Sequence, residues 1–110
     1  MRPKVVVQGK EHEVRFRHFP SANNLGGITT VAYATPLSDK SLSAILVRLV
    51  KGFSYCHQND NFSRAFGRKL AFRRLLERLG VPRTDRRGAW LSYYEVMPRD
   101  VRVKIPNAKR

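Results

Sequence analysis

The sequence predicts an α+β domain: a mostly antiparallel sheet of five or six strands, with one long amphipathic basic helix packed on one face. Three observations predict it. Asn61–Gly80 (NFSRAFGRKLAFRRLLERLG) is the only long stretch with an unambiguous helical period. Short β-branched or alternating segments flank it, punctuated by Gly, Pro, Asn and Asp. At 110 residues and 42% apolar content, the chain can bury one core but not two, so residues 1–110 read as a single domain.

Taken in order, Lys4–Gln8 (KVVVQ) is β-branched and lacks a helical period, and Gly9-Lys10 reads as a tight hairpin turn. In His12–His18, Val14, Phe16 and His18 alternate with Glu13, Arg15 and Arg17, the pattern of a half-buried strand with a basic outer face. Arg15 and Arg17 either extend an anion-binding surface or keep an edge strand soluble and unpaired. Phe19–Gly27 is a connecting loop, without the glycine spacing of a nucleotide-binding motif. Ile28–Thr35 reads as a strand and Pro36–Ser41 as a turn. The apolar run Ser43–Lys51, continuing through Gly52 to Cys56, suggests a central strand buried on both faces, with Gly52 as a bulge or a point of close approach.

In the helix, at about 100° per residue, Phe62, Ala65, Phe66, Phe72, Leu75, Leu76 and Leu79 share one arc, and Arg64, Ala71, Arg74 and Arg78 the opposite one. Asp60 or Asn61 can cap its start, and Gly80 followed by Val81-Pro82 stops it. Lys69 and Arg73 interrupt the apolar arc, so either they snorkel or one flank faces a second surface. Phe72, Leu75, Leu76 and Leu79 are the expected core, leaving Phe62 and Phe66 for a partner. Gly67 costs about 1 kcal/mol inside a helix, which implies close approach by another backbone. Val81–Gly88 reads as a basic loop. Ala89–Met97 carries helical spacing at Trp90, Tyr93, Tyr94 and Met97 but strand-like composition, and is assigned to a strand. Val101–Ile105 alternates as a final strand, and Asn107–Arg110 as a frayed basic tail.

Charge is the strongest functional signal. Twenty-two basic residues against eight acidic give +14, a polyanion is the natural partner, and arginine outnumbers lysine by 15 to 7. The planar guanidinium suits phosphate because it can donate two parallel hydrogen bonds to one anion. Nine of these cations fall between Arg64 and Arg87. Arg64, Arg68, Arg74, Arg78, Arg83, Arg86 and Arg87 are therefore the expected contacts to nucleic acid or to an acidic partner surface. Trp90, Tyr93 or Tyr94 could stack on unpaired bases if exposed.

No catalytic constellation emerges. His12, His18 and His57 lack metal-ligand spacing, and neighbouring strand residues Cys56 and His57 would point to opposite faces. Neither enzyme activity nor a metal or cofactor is expected. The single cysteine excludes an internal disulfide and fits a reducing cytoplasm. No apolar run nears the roughly 20 residues of a membrane span, and Met1–Gly9 does not resemble a signal peptide. A homodimer is compatible with the sequence.

Between Tyr55 and Arg74, the pattern C-x-x-x-D-x-F-S-R-x-x-G-R-x-x-A-x-x-R is formed by Cys56, Asp60, Phe62, Ser63, Arg64, Gly67, Arg68, Ala71 and Arg74. It resembles short basic accessory proteins encoded by bacteriophages and prophages, in which strands precede a basic helix. The resemblance covers about twenty residues, implies a viral accessory context in the host cytoplasm, and carries over no catalytic residue. Two functions follow as expectations: a phosphate-backbone binder of nucleic acid, or a protein-binding antagonist of a host complex such as a CRISPR effector or RNA polymerase, anchored by Phe62 and Phe66.

Overall fold

The computed structural model describes residues 1–21, 27–37, 42–56 and 63–105. The elements are β1 (Lys4–Val7), β2 (Lys10–Pro20), β3 (Ile28–Pro36), α1 (Leu42–Val47), β4 (Lys51–Cys56), α2 (Arg64–Arg78), α3 (Arg83–Val96) and a short 3-10 helix, Pro98–Arg102. The strands form one antiparallel sheet in the order β1-β2-β3-β4. The α+β class stands, with four strands and three α-helices among the described residues rather than five or six strands and one long helix.

The β1–β2 hairpin turns on Gln8 and Gly9, with φ of 53° and 79°. Positive φ at both central residues matches the right-handed twist of the flanking strands. The turn therefore sits one residue earlier than Gly9-Lys10. Strand β2 pairs with β1 only over Lys10–Glu13; at Arg15 and Arg17 it pairs with β3 alone among the described residues, so these two cations stand on an open edge, as one of their two readings expected.

Two segments read as strands are largely helical, and a third forms no strand among the described residues. The run beginning at Ser43 forms α1, and only Lys51–Cys56 joins the sheet. Leu42, Ile45, Leu46 and Leu49 lie at helical spacing, and a short apolar run cannot be told from a buried strand by composition. Ala89–Met97 lies almost wholly in α3, because Phe72 and Phe16 offer an aromatic surface to the spacing of Trp90, Tyr93 and Tyr94. Phe72 meets Trp90 edge-on at 4.8 Å between centroids and Tyr93 at 5.1 Å, and Phe16 meets Tyr93 edge-on at 6.1 Å. Tyr93 is buried, and Trp90 and Tyr94 are packed against the core. These are structural rings rather than a stacking platform. Val101–Ile105 pairs with no strand among the described residues; its start closes the 3-10 helix.

Helix α2 begins later than expected. Ser63, not Asp60 or Asn61, is the N-cap, its Oγ accepting from the Phe66 amide at 3.1 Å. The end matches the expectation. Gly80 adopts φ of 68°, its amide donates to the Glu77 carbonyl, and the Val81 amide donates to the Leu76 carbonyl, which together close the last turn. Phe72, Leu75 and Leu76 are buried with Val5, Val14 and Ala32, and Leu79 packs on the margin.

Two glycines set how closely α2 lies on the sheet. A Cβ on Gly52 would run into the Ala71 carbonyl oxygen and the Leu75 amide, so β4 touches helix backbone there, the close approach expected at Gly52. Gly67 faces side chains rather than backbone: a Cβ would lie 2.6 Å from Thr30 Oγ1, while Ser54 Oγ donates to the Gly67 carbonyl at 2.9 Å. The close approach at Gly52 places Ala71, expected on the outer arc, against the sheet and fully buried.

Lys69, expected to snorkel or to mark a second surface, is instead buried and held by carbonyls. Its Nζ donates to the main-chain oxygens of Asp100 (3.1 Å) and Val103, and sits 5.2 Å from the Tyr94 ring centroid. The Asp100 carboxylate, 5% exposed as a residue, accepts from Tyr93 Oη at 2.6 Å and from Arg68 Nε and Nη2 at 3.3 and 3.0 Å. One carboxylate thus ties α2, α3 and the 3-10 helix together. Burial and the bond to Asp100 push the Tyr93 phenol far above its usual range, so it stays a donor.

Candidate nucleic-acid interface

Helix α2 covers one face of the sheet, and the described residues leave the outer part of the other exposed. His12, Val14, Thr30, Ala32, Gly52 and Ser54 point toward the helix and are buried. Their neighbours point the other way. The registers align the opposite face into three cross-strand rungs: Arg15–Tyr33–Lys51, Arg17–Val31–Phe53 and Phe19–Thr29–Tyr55. Phe19, Phe53 and Tyr55 are 42%, 40% and 43% exposed. A depression of about 610 Å³ lies among Arg17, Val31, Tyr33, Arg48, Lys51 and Phe53.

The arginines of α2 divide into two groups. Arg74 Nη1 donates to the Phe53 carbonyl at 2.8 Å and Arg78 Nη1 to the Lys51 carbonyl at 3.4 Å, both at the outer edge of β4. The arc bearing Ala71, Arg74 and Arg78 therefore lies along the sheet edge, not opposite the core. Both guanidiniums are exposed and cover carbonyls that would otherwise invite another strand. Arg68 does not belong with them: it is bound to Asp100, with 22% of its side chain exposed, and this removes it from the expected contact surface. Asp100 follows it by 32 residues, so no local pattern announces the pair.

The remaining expected contacts are dispersed. Arg64 is exposed in the first turn of α2. Arg83, Arg86 and Arg87 lie in the first turns of α3 rather than in a loop; Arg83 and Arg87 are exposed, while Arg86 Nε folds back onto the Val81 carbonyl at 2.8 Å. Phe66 is 36% exposed on α2, and Phe62 lies outside the described residues, as do Asp60, His57 and the 107–110 tail.

Arg17, Arg48, Lys51, Arg74 and Arg78 have no carboxylate of a described residue within ion-pair distance. Arg15 has a long contact to Glu13, 4.0 Å, with 44% of its side chain exposed, which adds little stability in water. Sequence reasoning missed the cations Arg48 and Lys51 and the aromatics Phe19, Tyr33, Phe53 and Tyr55 on this face, and only the β4 pair carried a local signal. Phe53 and Tyr55 flank Ser54 in alternation, which a strand buried on both faces would not require.

His18 sits on the helix side of the sheet, its Nδ1 2.7 Å from Thr30 Oγ1. Burial, then the charges of Arg64 and Arg68, hold its pKa below the ordinary 6.5. The unfolded chain therefore takes up a proton that the folded chain resists. This preference for neutral imidazole supports the fold above the unfolded value and is lost as pH falls through 6.5 toward the folded value. Thermal melts should show Tm declining from about pH 7.5 to 5, with part of the decline absent in His18→Gln. A variant with the wild-type pH profile contradicts this role.

Among the described residues, no three His, Cys, Asp or Glu side chains gather as metal ligands, and no helix is long and apolar enough to cross a membrane. No protein-family model matches the chain, and neither a curated protein nor a solved structure shows significant similarity to it.

Proposed function

We propose that the chain is a non-enzymatic nucleic-acid-binding protein that holds the phosphate backbone along the cationic margin of its sheet. Arg74 and Arg78 on α2 form the rim, with Lys51, Arg48 and Arg17 beside it. One observation carries the reading: these five cations lie along one edge and the adjoining sheet face, with no ion-pairing carboxylate among the described residues. A phosphate chain supplies the missing counter-charge, and each contact releases condensed counterions. The net +14, with Arg64, Arg83 and Arg87 adding to the field, favours fast encounter with a polyanion. The resemblance of residues 55–74 to phage-encoded accessory proteins supports a bacterial host cytoplasm as the setting.

A second reading, a protein-binding antagonist of a host complex, is favoured by α1. Leu42, Ile45, Leu46 and Leu49 are 71%, 50%, 50% and 67% exposed, an apolar stripe at the spacing by which helices dock. A pull-down from bacterial lysate, with and without nuclease, separates the two. Partners that disappear after nuclease are the expected outcome. A single protein retained after nuclease, with no nucleic acid recovered in the untreated sample, contradicts the phosphate reading and supports the second.

A further inference from the structure

The covered face of the sheet is accounted for by packing; the opposite face keeps aromatic rings in contact with water. Its three rungs place Phe19, Phe53 and Tyr55 in exposed positions, with Val31 at 5% exposure as the floor and Tyr33 half-buried. Exposed aromatics grouped on one sheet face, away from the core ring cluster of Phe16, Phe72, Trp90, Tyr93 and Tyr94, call for a ligand with flat apolar surfaces. The charge on the same face is graded. Along β2 this face reads Glu11, Glu13, Arg15, Arg17 and Phe19: the acids lie beside β1, opposite Val6 and Lys4, while Arg17 and Phe19 lie beyond its reach and align across β3 with Phe53 and Tyr55. The Arg74 and Arg78 guanidiniums line the β4 edge, bonded to the carbonyls of Phe53 and Lys51. Phe53, Tyr55, Lys51, Arg74 and Arg78 thus share the β4 margin, with Arg17 and Phe19 two strands further in.

We propose that this face binds single-stranded nucleic acid, unpaired bases stacking on Phe53, Tyr55 and Phe19 while the phosphates follow Arg74, Arg78 and Lys51. The inference rests on the phosphate-binding reading above and adds to it the form of the nucleic acid. Spacing decides between single strand and duplex. Residues two apart on a strand, such as Phe53 and Tyr55, lie about 7 Å apart, and Phe19 and Tyr55, across an intervening strand, about 10 Å. Stacked nucleotides in a duplex advance only about 3.4 Å per strand. Occupying two of these platforms requires bases spread apart with their faces open, which pairing forbids. Every base has a stackable face, so the binding is expected to be tolerant of sequence, with cation–π support from neighbouring arginines.

The test measures fluorescence anisotropy of labelled uridine and thymidine oligonucleotides, and of a duplex of equal length, against the full chain and its variants. The single strands should bind at least about 10-fold more tightly than the duplex. Phe53→Ala and Phe19→Ala should each weaken single-strand binding by about 10-fold while leaving duplex affinity within about two-fold. Phe53→Trp should retain single-strand affinity and show quenched indole emission on binding, a readout that a merely misfolded variant would not give. Equal affinity for duplex and single strand, with no effect of either alanine substitution, overturns the stacking inference and leaves the phosphate reading standing. Absence of binding to all three nucleic acids at low salt overturns both.

Discussion

Asp100→Ala is expected to lower stability by about 3–5 kcal/mol, the largest single-residue effect the fold implies. The carboxylate is nearly inaccessible, pairs with Arg68 at 3.0 Å and accepts from the Tyr93 hydroxyl at 2.6 Å. Removing it strands a fully buried hydroxyl, a penalty of about 1–3 kcal/mol, and leaves the half-buried Arg68 guanidinium without its anion. The midpoint of thermal unfolding should fall by more than about 10 °C. Asp100→Asn, which keeps an acceptor but loses the charge, should fall between. Loss of less than about 1 kcal/mol in the alanine variant would show that the network does not hold the helices together. Arg68→Ala should behave as a milder version of the same lesion, reducing stability while sparing the sheet margin.

The second large effect concerns binding. Arg74→Glu with Arg78→Glu should reduce affinity for an oligonucleotide by about 100-fold or more at low salt, since two attractive contacts become two repulsive ones. Far-UV circular dichroism should be unchanged, because both guanidiniums are exposed and bond only to edge carbonyls. The two substitutions are therefore expected to act oppositely: those at Arg68 and Asp100 on stability, and those at Arg74 and Arg78 on the proposed binding.

The parts of this architecture legible in the sequence are those with a local cause. Strand β2 declares itself through the alternation of Val14 and Phe16 with Arg15 and Arg17, and α2 through its period and the Gly80 stop. The parts that were not legible depend on partners distant in sequence. Trp90, Tyr93 and Tyr94 have helical spacing, but their aromatic composition favours a strand until Phe72 and Phe16 supply the surface they pack against. Ala71 faces inward because Gly52, nineteen positions earlier, lets the strand touch helix backbone. The candidate face has the same character. Arg17, Phe53 and Lys51 become neighbours only through the β2–β3–β4 register, and reading β4 as doubly buried hid the exposed alternation of Phe53 and Tyr55.

Five described residues of the phage-like pattern have structural roles, whereas Arg64 is exposed. Ser63 caps α2, Gly67 admits Thr30, Arg68 holds Asp100, Ala71 lies against Gly52, and Arg74 closes the edge of β4. That spacing is accounted for by the seating of α2 on the sheet. The open face lies largely outside it, with Phe19, Arg17 and Tyr33 drawn from earlier strands.

The most direct measurement of the central claim is the salt dependence of oligonucleotide binding by the wild-type chain and by the Arg74→Glu, Arg78→Glu variant. Five backbone contacts predict a slope of log affinity against log salt of about −3.5 for a single strand, and loss of two should make it shallower by about 1.4. A wild-type slope near zero, or identical slopes in the two proteins, would contradict a phosphate chain lying along this edge.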